Sequence, residues 1–76
     1  MADDSRSVLI ADDDRESRAA LATLVARTGL STLEATTGAE AVALARAERP
    51  ALILLEVSLP DAGGYEVCRE LRDEFG

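Results

Sequence analysis

Three consecutive aspartates, Asp12, Asp13 and Asp14, close the apolar run Val8-Leu9-Ile10-Ala11, and Glu56 stands near the end of a second apolar run, Ala51 to Val57. These acids are the residues whose types and spacing could do chemistry. Two like charges about 4 Å apart repel by about 4 kcal/mol at an effective dielectric near 20. Carboxylates that converge therefore need a cation, or some of them must hold protons. Hard oxygen donors with open positions suit Mg²⁺, which keeps several waters and often meets a phosphate. An acidic run after a strand can equally be a solvated loop and helix cap, and Asp14 alone is read as a cap. Spacing by itself leaves both readings open.

The elements that must position these acids follow from periodicity. Val8 to Ala11 is too short for a helix and too continuous for a half-exposed strand, so it fits a strand buried on both faces. A helical stripe follows at Leu21, Leu24, Val25 and Thr28, with Asp14 as N-cap and Arg27 then Gly29 as its C-terminal signature. Leu30 to Ala35 reads as a second strand. Thr37 and Glu40 have capping-box form, opening a helix that presents Ala41, Leu44 and Ala45, flanked by Val42, and stops before Pro50. Ala51 to Val57 is the third strand, Pro60-Asp61-Ala62-Gly63 is turn chemistry, and a last helix from about Gly64 buries Val67, Cys68, Leu71 and Phe75. The order β-α-β-α-β-α predicts an α/β fold with parallel strands, right-handed crossovers and helices on both faces. In such a doubly wound sheet, ligands sit beyond the C-terminal strand ends, where strand order reverses. Asp12, Asp13 and Glu56 share that end if the first and third strands are neighbours.

Composition narrows the chemistry. The chain has 76 residues, a net charge of −7 and no histidine, and all of its basic residues are arginines. A Ser-His-Asp or Cys-His mechanism is therefore excluded within it. The acidic balance argues against nucleic-acid binding by this segment, because phosphate contacts need a basic face. A single cysteine points to a reducing cytoplasm, the acidic start is unlike a signal peptide, and no apolar run approaches the ~20 residues of a membrane span. Cys68 and Tyr65 read as packing residues, Arg15 and Arg18 as a solvated helix face. Gly63-Gly64 lacks the context of a nucleotide-binding loop.

The stretch Val8-Leu9-Ile10-Ala11-Asp12-Asp13-Asp14 resembles the opening of response-regulator receiver domains. Pro50-Ala51-Leu52-Ile53-Leu54-Leu55-Glu56-Val57-Ser58-Leu59-Pro60-Asp61 resembles their phosphorylation-site strand and loop, and the helix start Thr37-Gly38-Ala39-Glu40-Ala41 and the segment Gly64 to Arg72 match in order and spacing. The resemblance implies a flavodoxin-like doubly wound parallel sheet, here truncated to β-α-β-α-β-α with strand order 2-1-3; the family is the standard example of that topology. It further implies a Mg²⁺-dependent domain that takes phosphoryl groups from a histidine kinase or its phosphotransfer domain in a two-component phosphorelay. Asp12, Asp13, Glu56 and the backbone carbonyl of Ser58 would hold the ion, and position 56 would be the phosphoacceptor.

Two departures matter. Glu56 stands where the family has aspartate, which places its carboxylate one methylene deeper in the pocket. Residues 1–76 also stop short of the further strand-helix units that, in the family, carry a Ser or Thr and a Lys, so the domain is expected to be incomplete at its C-terminus. The third strand would then be an open edge that invites association with another chain. The chain is accordingly expected to be a piece of a longer protein, or to self-associate through that edge; the partner candidates are a second copy or an output domain beyond Gly76, between which the sequence does not choose. The leading expectation is a cytoplasmic signalling domain rather than an enzyme, impaired in phosphorylation by Glu56. The alternative is a phosphorylation-independent pseudo-receiver for dimerisation or docking. A weaker third reading, a Mg²⁺-dependent phosphoryl-transfer enzyme, lacks a visible general base or phosphate loop.

Overall fold

Strand β1 (Ser7–Ala11) is buried at every residue, as expected of a strand covered on both faces. In the computed structural model the described residues are 6–56, 59–61 and 64–75, the last stretch with side chains at 66, 67 and 69–73. Helix α1 (Arg15–Ala26), strand β2 (Ser31–Ala35), helix α2 (Gly38–Glu48), strand β3 (Leu52–Leu55) and helix α3 (Gly64–Phe75) follow in order. The three strands form one parallel sheet in the order β2-β1-β3. Leu9 lies opposite Leu33 and Ile53, and Ala11 opposite Ala35 and Leu55.

Side chains alternate across a strand, and the two faces of this sheet are covered differently. Leu9, Ala11 and Ala35 pack with Ala41, Val42 and Ala45 of α2, Leu59, and Val67 and Leu71 of α3 into the core. Leu33, Leu44, Ile53 and Leu55 border it. The small residues of α2 let that helix sit close to the sheet. An exposed pair, Arg46 and Glu70 at 3.6 Å, links α2 to α3 and adds little at such exposure.

Val8 and Ile10 face the other way, toward α1, which packs chiefly on β1 and β2. Here the sequence expectation needs correction. No residue of α1 is buried: Leu21 and Val25 are half-buried and Leu24 is 57% exposed, while Thr28 is exposed and lies beyond the helix end. The stripe has one covered flank, because α2 and α3 lie on the opposite face and no other helix among the described residues shares this one. Leu52, on β3, is 53% exposed for the same reason.

The caps behave as the local chemistry dictates. Asp14 accepts from the Ser17 amide at 2.8 Å, and Gly29 takes φ +87° just past the end of α1. Thr37 accepts from the Glu40 amide at 3.1 Å. Arg49 ends α2 at φ 48°, a left-handed turn that coincides with the exclusion of the helical region before a proline. The third strand is shorter than the apolar run: it ends at Leu55, so Glu56 is the first residue beyond it. Val67 and Leu71 of α3 are buried as expected, whereas the side chains of Cys68, Tyr65 and Phe75 lie outside the described residues.

Candidate functional site

The C-terminal ends of β1 and β3 are bonded together where the acids stand. The Glu56 amide donates to the Ala11 carbonyl at 2.9 Å, and the Asp12 amide donates to the Ala35 carbonyl at 3.0 Å. The main chain at Asp12 is thus held between the ends of both outer strands. Asp12 is 6% exposed, whereas Asp13 and Glu56 are exposed. One Asp12 oxygen, Oδ1, accepts from the Asp14 amide at 2.9 Å. This local turn explains how an acidic side chain is tolerated at the buried end of a strand.

The structure therefore brings the backbones of Asp12, Asp13 and Glu56 to one end of the sheet. It does not gather their carboxylates into a closed cluster: among the described residues, no three His, Cys, Asp or Glu side chains converge closely enough to hold a metal ion. Ser58, whose carbonyl was expected to add a ligand, lies outside the described residues. The donor set still fits Mg²⁺, which binds through one or two carboxylates and keeps the rest of its shell as water. Asp12 Oδ2 and the exposed Asp13 carboxylate would be the oxygens of such a one- or two-carboxylate site.

Three contacts at this end of the sheet went unread in the sequence. Arg18 is not part of a solvated face. Its Nε donates to Glu34 Oε1 and its terminal nitrogen to the Asp12 carbonyl, both at 2.9 Å, and its side chain is only 17% exposed. A charged residue inside a weak strand, Glu34, was the available signal. Asp61 was read as turn chemistry alone, yet its carboxylate accepts from the amides of Gly38 at 2.6 Å and Ala39 at 3.0 Å. Those are free donors of the first turn of α2, and they hold the Asp61 carboxyl below the usual aspartate range, Gly38 first. Glu40 reaches one residue further back than a capping box requires, to the amide (2.8 Å) and hydroxyl (3.0 Å) of Thr36. The Thr36 amide is the main reason its carboxyl is held low.

A groove of about 410 Å³ runs between α2 and α3, lined by Val42, Val67, Arg46 and Glu66 among others. It contains none of Asp12, Asp13 or Glu56 and is separate from those strand-end acids.

Comparison with known proteins agrees with this arrangement. Residues 8–75 match the family model of the response regulator receiver domain. The chain is 36% identical over 74 residues to the probable transcriptional regulator ycf27 of Porphyra purpurea, covering 97% of this chain and 30% of that protein. It is 41% identical over 66 residues to the transcriptional regulatory protein AfsQ1 of Streptomyces coelicolor, covering 87% of this chain and 29% of that protein. The chain thus spans about three tenths of the length of these relatives. Its fold superposes on the BeF3-activated N-terminal receiver domain of RstA from Klebsiella pneumoniae with a TM-score of 0.88 at 25% identity, covering 93% of this chain and 61% of that one. With the family model matched over residues 8–75 and the strand order and fold in accord, the chain belongs to the response regulator receiver domain family.

Proposed function

We propose that this chain is the receiver part of a two-component response regulator whose phosphoacceptor position is occupied by Glu56, and that this substitution impairs phosphoryl uptake. The observation that carries the reading is the placement of Glu56 directly after β3, its amide bonded to the residue that precedes the acid pair. Asp12 and Asp13 would hold a Mg²⁺ ion, which supplies charge neutralisation for an incoming phosphoryl group. Glu56 keeps the charge of an aspartate but carries its carboxylate about one C–C bond further out. Misplacement of a reacting atom by about 1 Å can cost on the order of a hundredfold in rate. The partner on this reading is a histidine kinase or its phosphotransfer domain, and the role is regulatory rather than enzymatic. Its place is the cytoplasm, with an output domain in the longer protein. No helix among the described residues is long and apolar enough to cross a membrane. Incubation with acetyl phosphate and Mg²⁺, followed by intact-mass measurement, tests the proposal; stoichiometric phosphate on the native sequence contradicts it.

A second reading is a phosphorylation-independent pseudo-receiver that dimerises or docks. The half-exposed Leu52 on the outer strand of the sheet favours it, since unpaired strand edges associate readily. Sedimentation of the chain across a concentration series discriminates: a reversible dimer abolished by a proline at the edge of β3 supports it, and a monomer throughout removes it.

A further inference from the structure

We infer that Arg18 is the positioning residue of the acid pair, with Glu34 as its counter-charge: together they fix the main chain at Asp12 so that Asp12 and Asp13 present oxygens to a divalent cation. The inference deepens the Mg²⁺ reading above and rests on it. Its basis is an accounting of the polar atoms of Asp12. The amide is taken by Ala35, the carbonyl by Arg18, and Oδ1 by the Asp14 amide. Among the described residues, Oδ2 is the Asp12 atom left for a ligand. The same loop anchors the start of α1, because the Arg18 amide donates to the Asp14 carbonyl at 2.9 Å. Arg18, on α1, thus ties the residue just past β1 to Glu34 of β2.

Arginine suits this role and lysine does not. The guanidinium offers Nε and a terminal nitrogen in a rigid planar fork, whereas an ammonium is a single point on a flexible stem. A positive charge this close to a cation site would ordinarily oppose the cation. The Glu34 carboxylate at 2.9 Å cancels it, so Arg18 orients the acids without repelling their ion.

Groups that orient metal ligands typically change metal affinity by about 10–100-fold when removed. The test is the Mg²⁺ dissociation constant of the 76-residue chain, read from NMR shifts of the Asp12 and Asp13 amides at low and high NaCl. Thermal unfolding monitored by circular dichroism runs in parallel. Arg18→Lys should bind Mg²⁺ at least about tenfold more weakly, and the deficit should persist at high salt because it is geometric. Glu34→Gln keeps an acceptor for Nε but leaves Arg18 uncompensated. It should bind more weakly at low salt and recover as salt screens the charge. A folded Arg18→Lys chain with wild-type affinity overturns the inference while leaving the Mg²⁺ reading intact. Should Arg18→Lys fail to fold, Glu34→Gln decides, because the Glu34 side chain is itself half exposed at the surface; wild-type affinity at low salt then overturns the inference. A wild-type chain that binds no Mg²⁺ removes both.

Discussion

The amide of Glu56 donates to the carbonyl oxygen of Ala11 at 2.9 Å, so the first residue beyond β3 is bonded to the last residue before the acid pair. This bond joins the two strand ends. A cation bound there should be felt on both strands. Magnesium titration followed by NMR is expected to shift the amides of Asp12, Asp13 and Glu56 together. Shifts scattered over the acidic surface, with none at these three, would point to non-specific counterion binding.

Stability should rest on the β1 side facing α2 and α3, and far less on the stripe of α1. Leu9 is fully buried at the centre of the sheet, and Leu→Ala at such a site costs about 2–5 kcal/mol. A 76-residue chain has a total stability of roughly 4–11 kcal/mol, so Leu9→Ala should greatly lower or abolish the cooperative urea transition. Leu24→Ala, at a position 57% exposed, should change it by about 0.5 kcal/mol or less. Equal losses at the two positions would show that the α1 stripe is covered after all.

The Asp61 clasp should give the fold an acid-sensitive component. The amides of Gly38 and then Ala39 favour the ionised carboxylate, so its pKa in the folded chain lies below the unfolded value. A depressed carboxyl stabilises the fold above the unfolded aspartate pKa, and that contribution is lost as pH falls through the lower, folded value. Glu40, held low chiefly by the Thr36 amide, acts in the same direction. Asp61→Asn should therefore lower the urea midpoint at neutral pH, with the gap to wild type narrowing in acid. A gap that is constant with pH would mean that the carboxylate's charge contributes nothing.

Much of this architecture is legible in the residues, and the illegible part has a physical pattern. Asp14, Thr37 and Gly29 report helix ends because capping and left-handed turns depend on a few neighbouring residues. Val8 to Ala11 reports a strand because it is apolar on both sides. Glu40 bonding Thr36 is a one-residue shift from the local capping box, but the other contacts that escaped join residues far apart in the chain: Arg18 with Glu34, and Asp61 with Gly38. Each depends on how the crossovers bring loops to one end of the sheet, which no local pattern encodes. The half-covered stripe of α1 escaped for a related reason. Periodicity states which face is apolar but not how much of it a neighbour covers. The shortened β3, ending at Leu55, follows from the same ambiguity, since an apolar run does not mark where ladder pairing stops.

The Asp14 cap offers a local control for the end of α1. Its carboxylate accepts from Ser17 at 2.8 Å, and removal of such a cap costs about 0.5–2 kcal/mol. Asp14→Ala should shift the urea midpoint accordingly while leaving the Glu56–Ala11 junction unaltered. A loss of the amide signals of Glu56 as well would show that the loop and the strand end unfold as one unit.

The central claim, that the side chain at position 56 decides phosphoryl uptake, is tested most directly by intact mass after incubation with acetyl phosphate and Mg²⁺. Native chain and Glu56→Asp should be compared side by side, each also within the longer protein. The native sequence should remain unmodified, and Glu56→Asp should gain one phosphoryl group. Stoichiometric phosphate on the native chain, or an inert Glu56→Asp in the longer protein, would contradict the account.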